Sequence, residues 1–228
     1  MRRRSSQRNS CRFRWGPLLC SGPCLALLPR SCGRGESQAA VRSGHSVSGK
    51  HTYGSLVLGG ARSGKSRFAE DLAIRSGLAR VYVATGTAFD GEMERRIEVH
   101  KDRRGTGWRT VEEQTDLAGV LSQEARRDTV LLVDCLTLWL NNLMMADRDL
   151  ATESARLCDA VSTLAGPCIF VSNEVGMGIV PDNRLSREFR DAQGRLNQDM
   201  AAACGKVIFV AAGQPILLKP NQQPDITL

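Results

Sequence analysis

From Ser55 onward, short runs of β-branched and aliphatic residues alternate with longer stretches whose apolar positions recur every three or four residues. The runs 55–59 (Ser-Leu-Val-Leu-Gly), 80–84 (Arg-Val-Tyr-Val-Ala), 129–134 (Thr-Val-Leu-Leu-Val-Asp), 168–172 (Cys-Ile-Phe-Val-Ser), 206–211 (Lys-Val-Ile-Phe-Val-Ala) and 215–218 (Pro-Ile-Leu-Leu) are predicted strands. Several are apolar without interruption, as strands covered on both faces should be. Amphipathic spacing predicts helices over 65–76, 91–103, 115–127, 136–146, 151–164 and 184–203. This alternation implies an α/β domain: a mostly parallel sheet with helices on both faces and one antiparallel strand near the C-terminus.

Residues 1 to 53 follow neither period. They are rich in Arg, Ser, Gly and Cys, and their apolar patches (17–20 and 25–29) are too short to span a bilayer. The segment reads as a disordered basic extension, with a targeting segment or a misplaced start as alternatives. The domain then occupies 54–220, and 221–228 is a short tail.

Charge changes its meaning once it is divided along the chain. The net charge is +7, but residues 1–50 carry ten of the 31 Lys and Arg and one of the 24 acids, which leaves the remainder at −2. The domain therefore offers no electrostatic case for a nucleic-acid partner. Its four cysteines, Cys135, Cys158, Cys168 and Cys204, lie in apolar runs without a CxxC pair. They read as reduced core residues of a cytoplasmic protein, with no disulfide frame or zinc site.

Chemistry enters at the first predicted turn. Gly59-Gly60-Ala61-Arg62-Ser63-Gly64-Lys65-Ser66 lies between a strand and a helix and matches the phosphate-binding loop GxxxxGK[ST], so the fold is expected to be P-loop NTPase-like. Glycines let successive backbone N–H groups turn toward an anion, and the helix start adds its positive end. Lys65 is expected to reach the β- and γ-phosphates of ATP or GTP, and the Ser66 hydroxyl to ligate Mg²⁺. An acid closing an apolar strand is by itself an ordinary turn residue. With a phosphate loop upstream, Asp134 at the end of 129–134, on a strand expected to neighbour the first, becomes the second Mg²⁺ ligand.

The domain holds a single histidine, His100, on one face of a predicted helix with Met93 and Ile97. That spacing alone describes an ordinary helix histidine. Its surroundings say more. The phosphate loop, His100 before a basic cluster, Trp108-Arg109-Thr110, Asn173-Glu174-Val175-Gly176-Met177-Gly178-Ile179-Val180-Pro181, Phe189-Arg190-Asp191, Gly194-Arg195 and Asn197-Gln198 follow in order. This set resembles the bifunctional adenosylcobinamide kinase/adenosylcobinamide-phosphate guanylyltransferase family over residues 54 to 219. The resemblance implies two reactions: phosphorylation of the corrinoid's aminopropanol hydroxyl by ATP or GTP, then transfer of GMP from GTP to give adenosylcobinamide-GDP. It also implies that His100 carries the GMP. By the same resemblance the nucleotide meets 59–66, Ala84, Thr85, Gly86, Lys101, Asp102, Arg103, Arg104, Glu112 and Asp134, and the protein is a homotrimer.

A neutral imidazole is a competent nucleophile near neutral pH, so the covalent step is sound chemistry. Geometry is less obliging. A helix starting near Gly91 places His100 about 13 Å along its axis, at about 1.5 Å rise per residue. The imidazole then reaches the phosphates only if that helix leans across the strand ends, moves when GTP binds, or comes from a neighbouring protomer. Gly176 and Gly178 allow close approach of a bulky ligand or another subunit, though the 173–181 stretch also reads as a plain strand-to-helix connection. Glu174 is a candidate base for the substrate hydroxyl.

Three rivals remain. A regulatory GTPase would carry an Asn-Lys-x-Asp guanine reader, which the sequence lacks. A nucleic-acid ATPase conflicts with the domain's net charge. A plain small-molecule kinase, with His100 incidental, stays open.

Overall fold

The computed structural model describes residues 53–86 and 106–220. Seven strands form one sheet in the order β3-β2-β4-β5-β1-β6-β7. They are β1 (Gly54–Gly59), β2 (Ala79–Ala84), β3 (Trp108–Glu112), β4 (Thr129–Asp134), β5 (Cys168–Asn173), β6 (Lys206–Ala211) and β7 (Gln214–Lys219). All neighbouring pairs are parallel except β6–β7, which is antiparallel. The described helices are α1 (Lys65–Arg75), α2 (Leu117–Glu124), α3 (Leu136–Met145), α4 (Leu150–Ser162) and α5 (Arg184–Ala203).

Side-chain alternation along the strands sorts the core into two layers. Leu56, Val81, Val83, Leu131, Val133, Cys168 and Phe170 point to one face, where Leu121, Trp139, Leu143, Leu157 and Leu196 of α2–α5 cover them. Val57, Tyr82, Val130, Leu132, Ile169, Val171 and Ile208 point to the other, against Ala69 and Ala73 of α1. The central strands are apolar throughout because both faces are covered.

Strand β3 is the element the sequence pattern missed. It is a sheet edge whose residues are all half-buried or exposed, so no apolar run marks it. Helix α2 is shorter than its predicted 115–127. The Asp116 carboxylate accepts from Gly119 N at 3.0 Å, and Glu113 Oε1 accepts from Thr115 N and Asp116 N, both at 2.8 Å. Those bonds divert the chain from helical geometry until Leu117. The predicted helix over 91–103 lies outside the described residues.

The four domain cysteines are free, and all but Cys158 are buried. Burial, the largest influence, pushes the Cys204 thiol up to about 12. Among the described residues no helix is long and apolar enough to cross a membrane.

Strand β7 is exposed along its length, and its last residue fastens it. The Lys219 ammonium donates to Ala201 O at 2.9 Å and Ala202 O at 3.0 Å, at the end of α5. That helix has no basic residue of its own in its last turn, so Lys219 supplies the cation its carbonyls favour. Lys219→Met is expected to lower stability by about 1 kcal/mol, read as a reduced urea midpoint at unchanged slope.

Candidate functional site

All parallel strands end on one edge of the sheet, and β1 delivers the glycine loop there. The loop turns into α1 through Gly64, the helix N-cap, at φ +94°, with Arg62 also left-handed at φ +55°. Gly64 sits where a Cβ would lie 3.1 Å from Gly213 Cα, so both backbone angle and space call for glycine.

Backbone hydrogen bonds hold the loop from three directions. Within it, Ser63 N donates to Gly60 O at 3.3 Å. From β5, Glu174 N donates to Gly59 O at 3.1 Å; from the β6–β7 turn, Gly213 N donates to Ser63 O at 2.8 Å. The two strands flanking β1 thus each lend the loop one bond.

The start of α1 differs from those of α2, α4 and α5, which are capped by the side chains of Asp116, Asp149 and Asn183. No side chain caps α1 or α3, but only α1 among the described helices follows a glycine loop, and its first turn holds no acid. Its leading N–H groups have no acceptor within the helix and carry its positive end. Lys65 is buried and folds back, with Nζ 3.2 Å from Gly60 O, and Ser66 follows it half-buried. Ser63 Oγ is buried with no hydrogen-bond partner among the described residues. An oxyanion would satisfy this set.

Asp134 closes β4 on the same edge. Its strand is not β1's neighbour as expected: β5 lies between them. The Tyr82 hydroxyl donates to Asp134 Oδ2 at 3.2 Å. Tyr82 meets Trp108 edge-on, with ring centres 6.2 Å apart, and the Arg80 guanidinium lies 5.5 Å above the Trp108 ring. Next to Asp134, burial pushes the Cys135 thiol up to about 11; the Asp134 carboxylate adds to the rise and the Lys65 ammonium opposes it. Loop lysine and strand-end acid therefore act on the same buried sulfur, although their strands are not adjacent.

Ala84 pairs with Asp134 on one side and Glu112 on the other, so these three expected site residues form a row across β4, β2 and β3. Thr85 is fully buried, and its hydroxyl accepts from Cys135 N at 2.8 Å and donates to Cys135 O at 2.7 Å. Asn142 Nδ2 donates to Thr85 O at 2.8 Å and to Gln114 O at 3.1 Å, tying the ends of β2 and β3 to α3. Gly86 is the last described residue before the segment containing His100, Lys101, Asp102, Arg103 and Arg104, which lie outside the described residues. Glu174, considered as a base, turns its Oε1 onto Gly176 N at 2.5 Å.

Sequence reasoning missed a buried polar cluster beneath the edge. The Ser172 hydroxyl donates to Asn197 Oδ1 at 2.7 Å, and Gln193 Nε2 donates to both at 3.0 Å. Asn197 Nδ2 then donates to Asn173 O at 3.0 Å, while Asn173 N donates to Thr137 Oγ1 at 2.9 Å. These bonds fix the end of β5 between the loop and Asp134. The available signal was the amide pair Gln193 and Asn197, four apart on a helix face shared with Leu196 and Met200.

A parallel sheet with a glycine loop between its first strand and helix, Lys-Ser opening that helix and an acid ending a second strand defines the P-loop NTPase-like α/β class. The chain belongs to the cobinamide kinase/cobinamide phosphate guanyltransferase family, whose model matches residues 55–218. It is a transferase of cobalamin synthesis. It is 52% identical over 166 residues to the bifunctional adenosylcobalamin biosynthesis protein CobP of Pseudomonas aeruginosa, covering 72% of this chain and 96% of that one. It is 40% identical over 179 residues to CobU of Salmonella typhimurium, covering 72% and 98%. Among solved structures, the RadB recombinase overlaps at a TM-score of 0.47 and 14% identity, covering 75% of this chain and 82% of that one.

A Cβ on Gly59 would lie 2.5 Å from both Ser63 Oγ and Val210 O, whereas one on Gly60 meets nothing within 4 Å. Gly59→Ala is expected to cost about 1–3 kcal/mol, and Gly60→Ala to stay within about 0.5 kcal/mol. Chemical denaturation of the two variants measures the difference.

Proposed function

We propose that this chain phosphorylates the aminopropanol hydroxyl of adenosylcobinamide with ATP or GTP and then transfers GMP from GTP to that phosphate through His100. The observation that carries the reading is the uncapped start of α1 beneath a glycine loop, with Lys65 folded across it. Family membership supplies the substrates.

In the kinase step the substrate hydroxyl oxygen attacks the γ-phosphorus, its proton passes to water, the bond to the β-phosphate oxygen breaks, and the nucleoside diphosphate leaves. The chain's task there is positioning and charge stabilisation, for which loop amides and the Lys65 ammonium suffice. In the second reaction an imidazole nitrogen of His100 attacks the α-phosphorus of GTP and pyrophosphate leaves with the negative charge. Lys65, Arg103 and Arg104 are the cations to receive that charge. An oxygen of adenosylcobinamide phosphate next attacks the same phosphorus, forming the diphosphate and releasing the imidazole. Ala84, Thr85, Gly86, Lys101, Asp102 and Glu112 complete the nucleotide's surroundings in this reading.

Mg²⁺ fits the donors on this edge. Ser66 and the half-buried Asp134 offer one hydroxyl and one carboxylate, and Tyr82 holds one Asp134 oxygen in place. No group of three or more His, Cys, Asp or Glu among the described residues could hold a metal alone, so the ion would also rely on phosphate oxygens and water. Its contribution would be neutralising charge on the triphosphate. A cytoplasmic homotrimer without a nucleic-acid partner belongs to the same reading, and the last of these is supported by the net charge of −2 after residue 50.

The test is incubation with [α-³²P]GTP and Mg²⁺. An acid-labile, hydroxylamine-sensitive label is expected on the unchanged chain and none on His100→Ala. An unchanged chain that takes no label would leave a plain kinase as the better reading, and a label that survives the substitution would remove the GMP from His100.

A further inference from the structure

Among the described residues, the connection from β5 to α5 carries the densest exposed apolar surface on the nucleotide edge. Met177 is 80% exposed, Ile179 96%, Val180 60% and Leu185 54%. The other large exposed apolar residues among those described are either scattered, as Tyr53, Ile74 and Met145 are, or lie along the edge strand β7. An exposed Ile alone would need no explanation, but a contiguous apolar run beside a reaction centre does.

This run is held away from the core. At its start Glu174 N is bonded to Gly59 O, and the Glu174 carboxylate closes on Gly176 N. At its end Arg187 Nη1 donates to Pro181 O at 2.9 Å and Asp182 O at 2.7 Å, and Asn183 Oδ1 accepts from Ser186 N at 2.7 Å. The chain between these anchors therefore presents its side chains outward.

Position decides what could cover it. Met177 is three residues on from Glu174, a span of at most about 11 Å, so the apolar run begins within that reach of the residue bonded to Gly59 at the start of the phosphate loop. The acceptor in the kinase step must bring its hydroxyl to that loop while the rest of the molecule lies beyond it. A corrinoid is a broad, rigid macrocycle with an apolar face and an amide-bearing rim, and its reacting hydroxyl sits on a tether. Such a face suits Met177, Ile179 and Val180, and the rim amides suit the backbone around Gly178, where nothing lies within 4 Å of a notional Cβ.

We propose that residues 176–185 form the corrinoid-docking surface, with Met177 and Ile179 against the macrocycle; this rests on the function proposed above. The test uses the full chain and the double variant Met177→Ser/Ile179→Ser. Binding of cobinamide is followed by its visible absorbance in equilibrium dialysis, self-labelling by [α-³²P]GTP reports the nucleotide site, and light scattering reports assembly mass. Losing two buried apolar contacts is expected to weaken cobinamide binding by about tenfold or more, with labelling and mass retained, and Ile179→Leu alone is expected to bind as the unchanged chain does. Cobinamide affinity within about twofold of the unchanged chain would overturn the proposal. So would a fall in assembly mass, which would make the run an interface between copies. An unchanged chain that neither takes label nor binds cobinamide would overturn the functional reading itself, and the docking surface with it.

Discussion

The loop between β1 and α1 can leave a helix start open only because other backbone groups hold its shape. Three bonds do this: Ser63 N to Gly60 O, Glu174 N to Gly59 O and Gly213 N to Ser63 O. Helix ends in folded chains are normally closed by side chains, as Asp116, Asp149 and Asn183 close three of the five described here. Closing α1 in the same way would fill the place an anion needs. The rigidity a capping side chain would have supplied comes instead from the strands on either side of β1.

The same logic extends to the second half of the edge. Asp134 stands one strand removed from β1, and the intervening strand is braced by side chains from two helices. Thr137 of α3 and Gln193 and Asn197 of α5 fix the end of β5 through Ser172 and the Asn173 backbone. Buried polar networks are costly when incomplete and rigid when satisfied. Here two of their atoms, Asn173 Oδ1 and Gln193 Oε1, have no partner among the described residues. The bonds that are made still hold the end of β5, the strand that spaces β1 from β4.

Much of this was legible in the sequence because burial writes a strong pattern. Six of the seven strands are apolar runs, and α5 was bounded correctly at 184–203 because Asn183 caps it and the chain extends at Cys204. Strand β3 was missed because an edge with Arg109, Thr110 and Glu112 exposed carries no such pattern. The phosphate loop was legible because its chemistry demands glycines at fixed spacing. Its supports were not, since a backbone N–H such as that of Glu174 or Gly213 leaves no trace in residue type. Tyr82 was hidden for another reason: it looks like an ordinary strand residue until the neighbouring strand brings Asp134 beside it. The order of those strands, β5 between β1 and β4, is a property of topology that local spacing does not encode.

The hairpin of β6 and β7 acquires a particular meaning from its reach. Its turn, Ala212 and Gly213, is left-handed at both residues, φ +50° and +76°, and delivers one main-chain bond to the loop. Because that bond involves no side chain, many residues along β7 could drift without disturbing it. Length is a different matter. One residue gained or lost between Lys206 and Lys219 would shift the pairing of the two strands and carry the turn away from Ser63. The exposed positions of β7 before Lys219 are thus free in composition while the hairpin is fixed in its residue count, so insertions and deletions there would be selected against far more strongly than substitutions at those positions.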